Sequence, residues 1–108
     1  MADAFKILGQ AALAATTLTD VYTVPGATSV TVSTISICNR GTATSFRLSV
    51  AIAGAADTVA QYTHSDVPLP ANDTLLVTAG YTLATTDVIR VYAASANVSI
   101  NVFGVEIT

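Results

Sequence analysis

The sequence predicts an all-β fold, a single-domain β-sandwich or jelly-roll-like structure of about 7–8 short strands. Three observations carry that expectation. The chain is rich in Val, Ile and Thr, which are stiff at χ1 and fit a pleated surface better than a helix. Turn chemistry recurs roughly every ten residues along the chain. Helical periodicity is almost missing, and the one Ala-rich stretch that could turn helically, Gln10 to Ala15, is too short to hold alone.

The elements follow in order. Residues 1–17 carry Phe5, Ile7, Leu8 and Leu13 without a sustained strand period, and Gly9 interrupts them. That segment is either an arm that orders on a partner or a first strand over Phe5-Lys6-Ile7-Leu8, and residues 18–108 form the sandwich. Val21 to Val24 is a strand that runs into Pro25-Gly26, a type II turn with Gly taking the positive φ. Ser29 to Asn39 alternates but changes phase: Val30 and Val32 point one way, Ile35 and Ile37 the other. A strand does this with one extra residue, so a β-bulge is expected near Ser33-Thr34, or else burial on both faces. Asn39 to Thr42 is a turn.

Phe46, Leu48, Val50 and Ile52 then alternate with Ser45, Arg47, Ser49 and Ala51, the pattern of a half-buried strand. Ala53 to Asp57 is a small-residue loop and Val59 to Thr63 a strand. Pro68, Pro70 and Asn72-Asp73 mark a connection, and Thr74 to Thr78 is a short strand. A turn-rich link leads to the strand Val88 to Tyr92. The last run again changes phase: Val98, Ile100 and Val102 share one face, and Phe103, Val105 and Ile107 the other, with Gly104 at the bend.

Composition excludes several classes. The chain is 52% hydrophobic and only 10% charged, so it is not disordered. A single Cys rules out a disulfide scaffold. A net charge of −3, with Lys6, Arg40, Arg47 and Arg90 as its cations, argues against a nucleic-acid partner. No apolar stretch reaches the roughly 18 residues of a membrane helix, and no membrane partner is expected. Residues 11–15 look signal-like but are bracketed too closely by Gln10 and Thr16-Thr17 for a secretory leader. The triplets Asn72-Asp73-Thr74 and Asn97-Val98-Ser99 are then chance products of a Thr/Ser-rich chain.

No catalytic constellation emerges. His64-Ser65-Asp66 holds the residue types of a hydrolytic triad, but three consecutive residues seldom place the base between nucleophile and acid. One His and one Cys make no metal site, the Asp residues are scattered, and the six Gly are isolated, so no metal, phosphate loop or other cofactor is expected. Cys38 reads as a buried small hydrophobe, and Asp73 and Asp87 as turn caps. Arg47 and Arg90 face away from the core as solvated strand charges or, in an oligomer, as partners of a neighbour's Asp or Glu106. Tyr22, Tyr62, Tyr81 and Tyr92 are dispersed, which favours core-edge tyrosines over a carbohydrate surface.

Leu18-Thr19-Asp20-Val21-Tyr22-Thr23-Val24-Pro25 and Val32 to Arg40 resemble small virion proteins of tailed bacteriophages. Asn72-Asp73-Thr74-Leu75, Asp87 to Tyr92 and the ending Phe103-Gly104-Val105-Glu106-Ile107-Thr108 share the look. The resemblance covers most of the chain, in strand-and-turn patterns rather than a chemical signature. It implies a structural protein of the particle located in the virion: a capsid decoration (cement) protein, a head fibre, or a tail or collar fibre component. The major capsid protein or other virion proteins would be partners, and no catalytic residues are carried over. Low charge on so small a domain also implies a homo-oligomer, a homotrimer by analogy with three-fold lattice positions. Phe5, Ile7, Leu8, Leu13, Arg47 and Arg90 are the candidate assembly contacts. A host-surface or carbohydrate-binding module is the alternative.

Overall fold

A computed structural model describes residues 3–108. Nine strands are present among them: β1 (Asp3–Ala12), β2 (Thr19–Thr23), β3 (Ser29–Asn39), β4 (Thr44–Ala51), β5 (Tyr62–Leu69), β6 (Thr74–Val77), β7 (Thr82–Leu83), β8 (Val88–Ala93) and β9 (Val98–Ile107). They form two antiparallel sheets. The first has the order β1-β9-β3-β6, with the two-residue β7 also on β3, and the second has the order β2-β8-β4-β5. The chain crosses from sheet to sheet at every connection except β4 to β5 and β6 to β7, and the last two strands return beside the first two. This is jelly-roll wiring, a β-sandwich made of two Greek keys.

The core lies between the sheets. Ile35, Ile37, Ile100 and Val102 from the first sheet meet Phe46, Leu48, Ile89 and Val91 from the second, all fully buried. Inward residues alternate with outward ones along each strand, as the pleat requires. The expected phase change in β3 is a β-bulge: the register to β9 slips between Val32 and Thr34, leaving Ser33 as the extra residue. Val30 and Val32 therefore point inward together with Ile35 and Ile37. Ser33 Oγ donates to the Phe103 carbonyl at 3.1 Å. A second slip occurs in β1 between Ile7 and Gly9.

Both slips flank β9, and β9 itself does not change phase. Val98, Ile100, Val102 and Glu106 all point inward, so Phe103, Val105 and Ile107 lie on the outer face. That corrects the expected bend at Gly104. The physical reason is Glu106, which has partners inside. Lys6 Nζ lies 2.6 Å from its Oε1, and Tyr22 Oη donates to its Oε2 at 2.6 Å. Gly104 keeps its place for a different cause. A Cβ there would collide with the Thr31 carbonyl oxygen of β3.

Other expectations shift more modestly. Of the two readings of residues 1–17, the structure has the strand, paired with β9 from Asp3 to Ala12; Met1 and Ala2 lie outside the described residues. Ile52 is 77% exposed in a 3-10 turn (Ile52–Gly54) rather than buried at the end of β4. Val59–Gln61 is a second 3-10 turn, and the strand begins at Tyr62 and runs through His64, Asp66 and Pro68. Pro68 is tolerated because β5 is an edge strand, where a missing N–H costs no ladder bond. In the Pro25-Gly26 turn the positive φ falls on Ala27 (φ 54°), not on Gly26. The Asn39 turn is held by its own side chain: Nδ2 donates to the carbonyls of Thr42 and Pro70 at 2.8 and 3.0 Å, and Oδ1 accepts from Gly41 N at 3.1 Å.

Candidate functional site

The two outer faces of the sandwich differ in kind. On the first sheet the register puts Phe5 beside Val105 and Ile7 beside Phe103. Phe5 is 83% and Ile7 51% exposed, and Phe103, Val105 and Ile107 are half-buried. These five make an apolar stripe on the outer side of β1 and β9. Around it are uncharged polar residues such as Thr31, Thr34, Ser36 and Asn101, and on β6 Leu76 is 60% exposed. Among the described strand residues of this face, Asp3 alone is charged. Arg40 borders it at the opposite end, its Nε donating to Ser99 Oγ at 3.0 Å and its Nη2 to the Ala96 carbonyl at 3.2 Å.

The outer face of the second sheet is ionic. Arg90 on β8 donates from Nε to Asp20 on β2 at 2.9 Å, and from Nη1 and Nη2 to the carbonyls of Ala55 and Gly54 at 2.7 and 3.2 Å. It thereby ties the 52–61 loop onto the sheet. Asp87 also holds that loop, accepting from Ala53 N at 2.9 Å, and caps its own turn by accepting from Ala84 N at 2.9 Å. Arg47 on β4 donates to Asp66 Oδ1 at 2.9 Å and to Tyr62 Oη at 3.3 Å, and its guanidinium sits 4.3 Å from the Tyr92 ring centre. Tyr62 and Asp66 hold the Arg47 guanidinium still more firmly protonated than usual.

The candidate contacts thus separate. Phe5 and Ile7 stand on the exposed stripe, as an assembly contact must. Leu8, the bulge residue of β1, packs half-buried on the core, and Leu13 is 2% exposed inside it. Leu13 belongs to its own domain. Arg47 and Arg90 have carboxylate partners on their own chain, Asp66 and Asp20, and Glu106 is turned inward to Lys6 and Tyr22. Cys38 is half-buried on the outer face of the first sheet, opposite Thr74 and Ser99, rather than in the core. Phe103, Val105 and Ile107, which the sequence placed on a shared face but not among the assembly contacts, complete the stripe. The unbroken alternation from Val98 to Glu106 was the signal that could have added them to those contacts.

Chemistry is sparse elsewhere. The His64 ring stacks on Phe46 with centroids 5.9 Å apart, its Nδ1 lies 3.2 Å from Thr63 Oγ1, and Asp66 is engaged by Arg47, so the three residues do not assemble as a triad. Among the described residues no three His, Cys, Asp or Glu side chains group as metal ligands, and no helix is long and apolar enough to cross a membrane. No protein-family model matches the chain, and no curated protein matches it.

Proposed function

We propose that this chain is a non-enzymatic structural protein of a bacteriophage particle, a capsid decoration (cement) protein that self-associates and binds the major capsid protein in the virion. The observation that carries the reading is the unequal pair of outer faces. A soluble domain ordinarily spreads charge of both signs over its whole surface, and depletion of charge with enrichment in aromatic residues marks the centre of interfaces. Here one face is a neutral sheet crossed by the Phe5–Ile107 stripe, and the other carries ion pairs suited to solvent. A two-sided slab of this kind suits a protein that lies flat in an assembly. Jelly rolls recur in viral capsids and in lectins alike, so the argument rests on the face and not on the fold. The strand-and-turn resemblance to phage virion proteins points the same way.

Quantitative mass spectrometry of purified particles from a phage that encodes this chain tests the proposal. A decoration protein appears in stoichiometry comparable to the major capsid protein. A fibre component appears far more sparsely, and absence from the particle overturns the reading. One observation favours a second function: Tyr62 and Tyr92 flank Arg47 on the outward ionic face, a grouping of aromatic rings and hydrogen-bonding groups that suits sugar hydroxyls and C–H faces. Glycan-array binding lost in Tyr92→Ala would support a host-surface role.

A further inference from the structure

We propose that the outer face of the first sheet is covered by a second copy of this chain, the two sheets stacked face to face about a two-fold axis. The inference rests on reading that face as the assembly surface and adds what occupies it.

Charge supplies the first argument. The face carries Asp3 at one end of β1, and Arg40 borders it at the other, where it reaches Ser99 opposite Ala12 and Cys38. Nine residue steps separate Asp3 from Ala12, roughly 30 Å along the strand. A two-fold axis through the middle of the face turns one copy end for end. It sets Asp3 of each copy toward Arg40 of the other, and the neutral centre against itself. Such an interface is isologous and closes at two subunits. The second sheet could not stack on itself so simply, because Arg47, Arg90, Asp20 and Asp66 stand on it in fixed pairs.

Size supplies the second. Three strands of ten or eleven residues, with the short β6 and β7 beside β3, give at ~4.8 Å spacing and ~3.3 Å per residue a footprint of roughly 550 Å². A corrugated surface has more accessible area than its footprint, and a standard interface buries about 800 Å² per partner. The face is therefore large enough for a stable pair without help from the loops. Phe5, the most exposed large apolar residue, would be its anchor.

Other occupants fit less well. A nucleic acid or acidic partner needs cations that the centre of this face does not carry, and a lipid surface calls for a basic rim around a larger apolar area. Edge-to-edge extension of β1 is also opposed, by the bulge at Leu8 and by Lys6, which is drawn inward to Glu106.

Analytical ultracentrifugation of the full chain at micromolar concentration reads the pair as a mass twice the 11.0 kDa of one copy. Phe5→Lys should weaken self-association by about tenfold or more, with circular dichroism and melting temperature unchanged. Val59→Lys, an exposed apolar position on the 52–61 loop, should leave it intact. Asp3→Lys should weaken the pair, and combining it with Arg40→Asp should restore it. A monomeric wild type, a trimeric mass, or a folded Phe5→Lys that still pairs would each overturn the proposal. A monomer whose Phe5→Lys variant no longer attaches to particles would assign the face to another virion protein. The virion reading would then survive without the pair. A pair that is absent from particles would do the reverse.

Discussion

Tyr22 Oη donates to Glu106 Oε2 at 2.6 Å across the side of the sandwich where β2 of one sheet passes β9 of the other. Lys6 from β1 closes the same carboxylate from its outer side. Three elements from two sheets therefore meet at one acid, and the edge strand β1 is fastened by more than its ladder. A hydrogen bond to a charged group contributes about 1.5–3 kcal/mol. Tyr22→Phe should lower stability by about that amount in urea unfolding, with the m-value unchanged. Lys6→Met should cost less, below about 1 kcal/mol, because Lys6 is half exposed.

The same contact sets a pH dependence. Lys6 above all, and then Tyr22, hold the Glu106 carboxyl below the usual carboxylate range, against the opposing effect of burial. The unfolded chain therefore binds a proton more readily than the folded one. Stability from Glu106 is fully present above its unfolded value of about 4.3 and is lost as pH falls through the lower folded value. Tyr22 is pushed the other way, upward, by burial first and by Glu106 second. Its contribution is present below about pH 10 and fades as pH rises beyond it. Melting temperature followed from pH 7 to acid should fall more steeply for the wild type than for Glu106→Gln. Equal slopes would remove Glu106 from the acid response.

Deleting residues 1–17 should abolish cooperative melting. The deletion removes the whole of β1, the Leu13 core contact and the Gly9 approach to β2, where a Cβ would come within 2.6 Å of the Val21 carbonyl oxygen. Leu13→Ala alone should cost about 2–4 kcal/mol. Phe5→Ala, on the open stripe, should leave chain stability nearly unchanged. A truncated chain that still melts cooperatively would return this segment to the status of an arm.

These residues also mark how far the sequence could be read. Alternation and turn residues placed β3, β4 and β8 closely, and the conflict between Val30/Val32 and Ile35/Ile37 located the bulge at Ser33, because a pleat permits no other way to turn both pairs inward. In β9 the same logic put Phe103, Val105 and Ile107 opposite Val98, Ile100 and Val102, as the structure has them, but added a bend at Gly104 that is absent. An acid at an inward position looks like a solvated one until its partners are known, and Lys6 and Tyr22 are 100 and 84 residues away in sequence. Without those partners the outward Phe103, Val105 and Ile107 were not named among the candidate contacts, although their shared face was. The intrachain partners of Arg47 and Arg90 were hidden for the same reason, since strand pairing decides which carboxylate stands opposite.

The turn before β3 can be improved by exchange. Ala27 adopts φ 54°, a left-handed conformation that costs an L side chain about 1–2 kcal/mol, while Gly26 does not adopt it and has open space around its Cα. The double variant Gly26→Ala/Ala27→Gly should raise stability by about 1 kcal/mol, keeping one glycine in the turn so that the unfolded-chain entropy is balanced. Gly26→Ala alone should be neutral or slightly stabilising. A melting temperature lowered by the exchange would show that the turn does not hold this geometry in solution.

Ser49 gives the last test. It lies on β4 in register with Arg90 on β8 and Tyr62 on β5, on the outer side of the second sheet, yet it is 2% exposed. Its hydroxyl is buried without a hydrogen-bond partner among the described residues. An unsatisfied buried hydroxyl costs about 1–3 kcal/mol in lost hydration, and Ser49→Ala removes that cost while leaving only the small space of one oxygen. Ser49→Ala should therefore match or exceed the wild type by up to about 1 kcal/mol. Ser49→Val, which adds volume beneath Arg90 and Tyr62, should destabilise by about 1–3 kcal/mol. A clear loss in Ser49→Ala would mean that the hydroxyl is bonded in solution, and that the covering 52–61 loop rests on the sheet differently.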